Sequence, residues 1–467
     1  MKFTTHGLQM AGLELVPPFQ VDVSLDPDED LTDQPTESLT FQTVARVLPG
    51  RRLSGVAEYQ GKSVFAKLFY GPRARRYWER ELQGANMMAQ AGTSTPAVLE
   101  YGATADNAGF VVMYEAIANA QTLAEDNLAM LLQAVEKVAA MHEANIMQTD
   151  IHLNNFVLGD GNLYVVDADG VRRGALLRHH FRNLALLLAQ RPPWFDDDID
   201  QVWTSYVGVR GEYVAKMGSA QQIKELTLKA RAGRVRTYLD KTQRECTEFV
   251  RRSKFTRDFV CDREHWQRLQ RFMVIPEVYL GEGTPLKLGN SATVIRCQID
   301  GESYVIKRYN IKSLGHRIRR WFNRRARNAW RNGHWLSFLG IETARPIALL
   351  EQRFGWFAGV SYVVMPDVGD RDLGQVLSSE PDAFQRVAEQ AVGLITKLKA
   401  AGIEHTDMKA TNFIEQEHNG SKQLVLIDVD AVRAGPIDSD VERFLKNWEG
   451  DEALYRAWTA RLSEAGL

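Results

Sequence analysis

The sequence predicts an α+β fold of two tandem bilobal domains, each with a small antiparallel β lobe and a helical lobe. Two repeated patterns predict it. An Asp-x4-Asn cluster, followed by an apolar strand and a further Asp, occurs in residues 145–170 and again in residues 402–431. A strand with a central lysine also occurs twice, and equivalent landmarks are offset by about 240 to 260 residues. A repeat of this length indicates duplicated domains rather than a solenoid.

Length and composition set the broad class of the protein. A chain of 467 residues exceeds what one hydrophobic core usually holds, which favours two or three domains. The net charge of −2 argues against a strong overall attraction to nucleic acid. The three cysteines are scattered without metal-type spacing, so a reducing compartment is expected. Because the chain lacks a secretory apolar core and any apolar run near the ~18 residues of a membrane span, we expect a cytoplasmic location.

The first domain is predicted to span residues 41–245. Residues 1–40 precede it as an acidic flexible leader, because residues 21–38 are acidic, contain two prolines and offer little to bury. The predicted elements of the domain follow in order: a buried strand at 63–69 around Lys67, a helix at 76–92 that ends at Gly92, a strand that closes at residue 115, a helix at roughly 124–144, and a mostly helical region at 174–245.

The second domain is predicted to span residues 271–467 and to repeat this order. Residues 246–270 are predicted to be a linker, because they have no clear place in either unit. The predicted elements follow in order: a strand at 303–309 around Lys307, a helix that ends near Gly340, a strand at 360–368, and a helix at about 382–401 that leads into the loop of Asp407.

Both domains carry the side chains that metal-assisted phosphoryl transfer needs, which predicts a protein-kinase-like fold for each. In such a site one Asp accepts the proton of a substrate hydroxyl, and an Asn and a later Asp hold the metal on the nucleotide phosphates. A strand lysine grips the α- and β-phosphates. The predicted bases are Asp150 and Asp407, the predicted metal ligands are Asn155, Asp167, Asn412 and Asp428, and the predicted phosphate-binding lysines are Lys67 and Lys307.

A helix glutamate normally orients the strand lysine. In the first domain we expect Glu81, which lies eleven residues before Gly92, and Glu79 is the competing choice. The equivalent position before Gly340 is Ala329, and its helix contains no acid. The second domain therefore either uses another partner for its lysine or has lost full activity.

Other positions bear on the class of kinase. Thr149 and Thr406 replace the arginine that precedes the base in regulated protein kinases, and no Ala-Pro-Glu segment follows. Two residues after the base, Lys409 is typical of protein kinases and can reach the γ-phosphate, whereas His152 is typical of small-molecule kinases of the aminoglycoside type. The glycine-rich phosphate loops are weak, with Pro49-Gly50 and Gly55 in the first domain and Gly289-Asn290-Ser291 in the second. Spare carboxylates, Asp169 and Asp430, follow each metal Asp.

These motifs resemble the lipopolysaccharide core kinase family, the Kdo and heptose kinases and their InaA-type relatives. The most specific stretch is residues 307–349, with its lysine strand, arginine-rich helix, Trp-Arg-Asn segment and Gly-Ile-x-Thr-x-x-Pro exit. The first half matches more loosely through VFAKLF, TDIHLNNF and VVDADG. The resemblance implies phosphorylation of inner-core sugars by ATP with magnesium, or manganese in its place, at the cytosolic face of the bacterial inner membrane. The tandem arrangement departs from the single domain usual in that family.

A basic segment at residues 307–331 suggests an anionic surface as a partner. It contains ten Lys or Arg residues and no Asp or Glu, with Trp321, Phe322 and Trp330 interleaved. Each basic residue near an anionic membrane contributes roughly 1 kcal/mol, so peripheral attachment to the inner membrane is expected. The alternative is a solvated helix face that packs its aromatics inward. No base-reading motif accompanies the segment, so nucleic acid is not an expected partner.

The sequence thus favours an ATP-dependent phosphotransferase that acts on a sugar hydroxyl of the lipopolysaccharide inner core. Two alternatives remain open at this point. A tandem pseudokinase scaffold or regulator of envelope assembly is favoured by the weak glycine loops and Ala329. A protein Ser/Thr/Tyr kinase is favoured by Lys409 and disfavoured by Thr149 and Thr406.

Overall fold

The computed structural model describes residues 1–25, 36–174, 176–310, 325–354, 357–418 and 420–467. The chain divides into two compact units. Unit 1 comprises Met1–Arg191 and Phe195–Arg231, and unit 2 comprises Pro192–Trp194 and Ala232–Leu467. The mixture of helices and strands is as predicted.

Unit 1 contains a seven-stranded antiparallel sheet that places Lys67 at its centre. The strands, in spatial order, are Glu37–Phe41, Phe19–Ser24, Val98–Thr104, Gly109–Glu115, Lys62–Tyr70, Arg52–Tyr59 and Arg46–Leu48. Lys67 is paired with Ser54 on one side and with Val112 on the other. The sheet curls enough for its first strand to pair also with the strand Arg52–Tyr59.

The predicted flexible leader is partly incorporated in this sheet, which corrects the prediction. Phe19, Val21 and Val23 alternate with polar residues along one strand and are buried, and Leu39 and Phe41 are buried in its antiparallel neighbour. The acidic stretch of residues 26–35, on which the prediction mainly depended, lies outside the described residues.

The helices of unit 1 carry the loops that follow its sheet. They are Thr5–Ala11, Ala74–Gln90, Leu128–Glu143, Leu177–Leu188, Ile199–Met217 and Ala220–Lys241, the last of which continues into the residues of unit 2. Short strands complete the unit: Gln121–Thr122, Ile146–Gln148, Phe156–Gly159, Asn162–Val165 and Val171–Arg173. The helix Leu128–Glu143 buries Leu131, Val135 and Val138 and delivers the chain to the loop of Asp150.

Unit 2 contains a second seven-stranded antiparallel sheet. The strands, in spatial order, are Phe249–Lys254, Arg257–Asp262, Ala348–Phe354, Phe357–Pro366, Glu302–Tyr309, Ala292–Ile299 and Thr284–Leu288. Lys307 is paired with Val294 and with Val363, so it has the same central position as Lys67 in unit 1.

Residues 246–270, expected to be a linker, form two strands and a short helix of unit 2 instead. Phe249, Val250, Phe259 and Cys261 are buried in the second sheet, and this burial explains the ordered structure. The division between the units falls earlier, within the helix Ala220–Lys241.

The helices of unit 2 are Trp266–Leu269, Pro276–Glu282, Arg325–Phe338, Leu373–Ser379, Phe384–Ala401, Asp438–Leu445 and Glu452–Glu464. Its short strands are Ile403–Glu404, Phe413–His418, Ser421–Leu426 and Arg433–Ala434. Most of the basic segment, residues 311–324 with Trp321 and Phe322, lies outside the described residues, whereas Trp330 is fully buried. Among the described residues, none of the helices has the length and apolar character that crossing a membrane requires.

Candidate active site

The lysine of unit 1 lies between two carboxylates. Its Nζ is 2.6 Å from Oε1 of Glu81 and 2.9 Å from Oδ1 of Asp167. Glu81 is fully buried on the helix Ala74–Gln90, and it also accepts a hydrogen bond from the Tyr114 hydroxyl at 2.7 Å. The competing residue, Glu79, instead pairs with Arg75 on the exposed face. The structure therefore brings together three of the predicted site residues.

The positive charges in this cluster keep Asp167 ionised. Burial by itself would raise the pKa of Asp167, but the positive charges of Lys67 and Arg52 outweigh it and lower that pKa to about 2. Burial likewise opposes the charged form of Lys67, and the charges of Glu81 and Asp167 overcome it and raise the lysine pKa. Asp167 has a left-handed backbone, with φ of 67°, which is uncommon for a residue other than glycine and is often found at functional sites.

The loop of Asp150 is tied to the loop of Asp167 in unit 1. Nδ2 of Asn155 donates to the backbone carbonyl of Asp150 at 3.1 Å and to Oε1 of Gln148 at 3.4 Å. Nε2 of Gln148 in turn donates to the backbone carbonyl of Asp167 at 3.0 Å. Sequence reasoning missed Gln148, because nothing in a loop sequence shows which side chain turns towards a neighbouring loop.

Three arginines also contact the carboxylates of unit 1. Nη1 of the buried Arg52 is 3.5 Å from Oδ1 of Asp167, and Nη2 of Arg51 is 3.4 Å from Oδ2 of Asp169. Arg80, from the helix, lies 3.1 Å from Asp169. Sequence reasoning missed this cluster, although two consecutive arginines directly after a turn in the phosphate loop were a visible signal. Cationic groups thus lie beside the carboxylate predicted to bind metal.

The lysine of unit 2 also contacts two carboxylates, but both belong to one turn. Nζ of Lys307 is 2.5 Å from Oδ1 of Asp428 and 3.5 Å from Oδ2 of Asp430. Burial would raise the pKa of Asp428, but the charge of Lys307 outweighs it and lowers that pKa. Ala329 is buried on the helix Arg325–Phe338 and offers no polar group. Asp428, like Asp167, has a left-handed backbone, with φ of 59°.

The loop of Asp407 resembles that of Asp150 but carries a lysine. Nδ2 of Asn412 donates to the backbone carbonyl of Asp407 at 2.7 Å, and Nζ of Lys409 is 2.7 Å from Oδ1 of Asp407. Thr406, directly before the predicted base, has φ of 68°, which is a genuine outlier for a β-branched residue. Such strain persists only where surrounding contacts fix it, and the Thr406 hydroxyl donates to the carbonyl of Ala431 at 3.2 Å.

A cavity of about 880 Å³ opens beside these residues in unit 2. This volume is in the usual range for small-molecule and cofactor sites. Its walls combine apolar and charged side chains. The apolar lining includes Val294, Val305, Val363, Met365 and Ile414, and the polar lining includes Lys307, Arg325, Arg371, Asn412 and Asp428. A flat apolar base and a charged phosphate tail would both find suitable walls here.

The oxygen donors of Asp428 and Asn412 fit magnesium. Asp428 contributes a carboxylate whose pKa is lowered, and Asn412 contributes an amide whose oxygen is not engaged by its bond to Asp407. Magnesium prefers such oxygen ligands, usually one or two protein groups together with water and substrate phosphates. Asp167 and Asn155 form the corresponding pair in unit 1, where Arg52 adds a cation beside the carboxylate.

Comparison with known proteins gives one family and distant structural likenesses. The family model described as "Lipopolysaccharide kinase (Kdo/WaaP) family" matches residues 292–444, a stretch that lies within unit 2. A structure of WaaP in complex with acyl carrier protein is 16% identical, with a TM-score of 0.34, and the alignment covers 44% of this chain and 87% of that one. A rhoptry kinase from Toxoplasma gondii is 14% identical, with a TM-score of 0.27, and the alignment covers 37% and 57% of the two chains. No curated protein matches the chain.

Proposed function

We propose that the chain, whose residues 292–444 match the lipopolysaccharide kinase (Kdo/WaaP) family, is a kinase of that family and transfers the γ-phosphate of ATP to a sugar hydroxyl of the lipopolysaccharide inner core. We assign the reaction to unit 2. One observation carries this assignment: the family match contains Lys307, Asp407, Lys409, Asn412 and Asp428, and three of these, Lys307, Asn412 and Asp428, line the cavity.

The proposed roles follow from charge and position. Asp407 accepts the proton of the sugar hydroxyl, and Lys409, 2.7 Å from Asp407, neutralises charge on the γ-phosphate. Lys307, which lines the cavity, binds the α- and β-phosphates. Asn412 and Asp428 hold magnesium, which when bound neutralises the phosphate oxygens. Catalysis is then mainly positioning and electrostatic stabilisation.

We propose that unit 1 is a second kinase-like domain in a tandem bilobal arrangement. The supporting observation is the shared order of a sheet with a central lysine, a helix, an Asp-x4-Asn loop and a left-handed Asp. In unit 1 these are Lys67 with Glu81 as ATP-binding residues, Asp150 as the base, and Asn155 with Asp167 as metal ligands. A scaffolding or regulatory role for this unit is favoured by Arg51 and Arg52, whose guanidinium groups lie beside the carboxylates of Asp169 and Asp167.

Two features favour binding to an anionic membrane surface: the proposed acceptor and the basic composition of residues 307–331. The acceptor is a lipid-linked glycan, and the segment carries ten Lys or Arg residues without an acid. We therefore propose peripheral attachment to the cytosolic face of the inner membrane. Co-sedimentation with anionic vesicles, compared with neutral vesicles, tests this part separately from catalysis.

Phosphate transfer to an acceptor tests the proposed function. ATP turnover with magnesium is measured on the full chain with and without dephosphorylated lipopolysaccharide core, for the wild type and for Asp407→Asn and Asp150→Asn. We expect acceptor-dependent turnover that Asp407→Asn removes and Asp150→Asn reduces less. Asp382→Asn, an exposed residue of unit 2, serves as the matched control. A folded wild-type protein without turnover would refute the enzyme and favour the scaffold.

A further inference from the structure

In unit 2 the helix glutamate is missing, and Lys307 needs another carboxylate to orient it. We propose that Asp430 takes over the role of the missing helix glutamate in unit 2, an inference that depends on the proposed function of Lys307 as the phosphate-binding lysine. Asp430 is thus a positioning residue, which acts through Lys307 and does not itself touch the nucleotide.

The contacts around the two lysines support this substitution. In unit 1 the Tyr114 hydroxyl donates to Glu81 at 2.7 Å, and Nζ of Lys67 lies 5.7 Å from the centre of the Tyr114 ring. In unit 2 the Tyr309 hydroxyl donates to Asp430 at 3.3 Å, and Nζ of Lys307 lies 5.2 Å from the centre of the Tyr309 ring. Each lysine therefore has a tyrosine ring beside its ammonium and a carboxylate bonded to that tyrosine. The same trio is built from different elements.

Asp430 is also held in place independently of the lysine. Arg325, at the start of the helix Arg325–Phe338, donates to Oδ2 of Asp430 from Nη2 at 2.8 Å and from Nε at 3.1 Å. Asp430 is only 8% exposed, so its charge requires partners of this kind. The corresponding residue of unit 1, Asp169, contacts Arg80 and Arg51 instead. The two spare carboxylates therefore have different partners.

Metal binding explains why a second carboxylate is needed. Lys307 is 2.5 Å from Asp428, the proposed metal ligand. When Asp428 engages a cation, it loses much of its attraction for the ammonium, since two cations repel each other at short range. Asp430, 3.5 Å from Lys307, then remains as the lysine's anionic neighbour. Without it, Lys307 would be free to leave the orientation that the α- and β-phosphates require.

The experiment removes the charge of Asp430 and then restores a carboxylate from the helix. Acceptor-dependent turnover and binding of a fluorescent ATP analogue are measured on the full chain. We expect Asp430→Asn to lower kcat by about 10-fold to 100-fold, while KM for ATP changes by less than about threefold, because positioning is lost rather than uniform binding. Asp430→Glu, or Ala329→Glu combined with Asp430→Asn, is expected to recover at least about a third of the loss on a logarithmic scale.

Controls separate positioning from folding. The exposed Asp382→Asn is the matched substitution and should behave as the wild type. Arg325→Gln combined with Asp430→Asn removes both partners of the ion pair, so no buried charge is left unpaired, and it should lower kcat like the single variant. Thermal unfolding verifies that each variant is folded.

The outcomes distinguish this inference from the proposed function. Wild-type protein that neither binds the analogue nor phosphorylates the acceptor would refute the proposed function itself. An active wild type with an equally active Asp430→Asn would overturn only the role of Asp430. A loss that neither carboxylate-restoring variant reverses, in folded protein, would overturn that role as well.

Discussion

The two units hold their lysines by different means. In unit 1 the buried Glu81 reaches Lys67 from a helix, at 2.6 Å. In unit 2 that helix position is Ala329, and the contacts to Lys307 come from Asp428 and Asp430 on a single turn. The comparison shows that an acid, a tyrosine and a lysine can keep their mutual contacts although the acid changes its place in the chain.

The phosphate loops of the two units differ in charge. The loop of unit 1 carries Arg51 and Arg52, which contact Asp169 and Asp167. The loop of unit 2 contains Gly289, Asn290 and Ser291, which carry no charge, and Gly289 and Ser291 line the cavity. Unit 1 therefore has the helix glutamate that kinases normally use, but its loop carries two arginines. Unit 2 lacks that glutamate, and its loop is uncharged at these three positions. Gly289, Asn290 and Ser291 therefore place no guanidinium group beside Asp428 in the way that Arg52 lies beside Asp167.

The largest expected effect is the loss of stability of unit 1 when Glu81 is removed. Glu81→Ala leaves Lys67 buried beside Asp167 alone, and breaking a buried pair in this way costs about 3 to 5 kcal/mol of stability. We expect unit 1 to unfold at lower denaturant concentration, measured by hydrogen exchange in the strand Lys62–Tyr70. The exposed Glu79→Ala is the control. A change below about 1 kcal/mol would mean that the helix carboxylate is dispensable in unit 1 too.

Removing the charge of Asp428 should lower catalysis more than removing the charge of Asp167. Asp428→Asn is expected to lower acceptor-dependent kcat by about 100-fold, since it removes charge stabilisation of the phosphates. Asp167→Asn should lower it by less than about tenfold, because Arg52 already occupies its neighbourhood. Both are measured as kcat and KM on the full chain. Equal losses would show that both units contribute to turnover and would remove the proposed division between them.

The arginine beside Asp167 can be tested by its removal. In an Asp428→Asn background, Arg52→Ala should strengthen binding of magnesium ATP to unit 1 by about fivefold to tenfold, because Asp167 becomes available to the metal. Titration with a fluorescent ATP analogue measures this change, and the exposed Arg76→Ala is the control. Weaker binding after Arg52→Ala would mean that this arginine contacts the phosphates directly.

The smallest expected effect is that of Arg52 on stability at acid pH. The folded-state pKa of Asp167 is about 2, below its ordinary value of 3.8, because Lys67 and Arg52 outweigh burial. Its stabilising contribution is therefore complete above about pH 4 and is lost as the pH falls towards 2. Arg52→Gln should raise this pKa and reduce stability at pH 3 by about 1 kcal/mol or less. Acid unfolding followed by near-UV circular dichroism measures the midpoint, which Arg76→Gln should leave in place.

Local patterns were sufficient to predict part of the site. The apolar runs around Lys67 and Lys307 predicted buried strands, and the spacing from Glu81 to Gly92 favoured Glu81 over Glu79 as the partner of Lys67. Each of these predictions used periodicity within one element. The aspartates and asparagines of both loops were likewise found from short spacings.

The remaining features depended on contacts between distant parts of the chain. Phe19–Ser24 pairs with Val98–Thr104, and Arg257–Asp262 pairs with Ala348–Phe354, so neither edge strand has its partner nearby in sequence. The spacing of Asp428 and Asp430 could not show that both approach Lys307. The contact of Arg52 with Asp167 could not be predicted either, since it depends on how two distant parts of the chain pack together.

The turn that carries Asp428 and Asp430 also limits how unit 2 can be controlled. Kinases whose lysine depends on a helix carboxylate can be switched off by swinging that helix outwards, which separates the pair. In unit 2 both carboxylates lie on the turn and not on the helix Arg325–Phe338, but Arg325 binds Asp430 and Nδ2 of Asn332 donates to the backbone carbonyls of Val429 and Val432. An outward movement of this helix would therefore have to break these contacts or shift the turn with it. Displacement of this helix would therefore reach Lys307 through the turn, and not by withdrawing a helix carboxylate from the lysine.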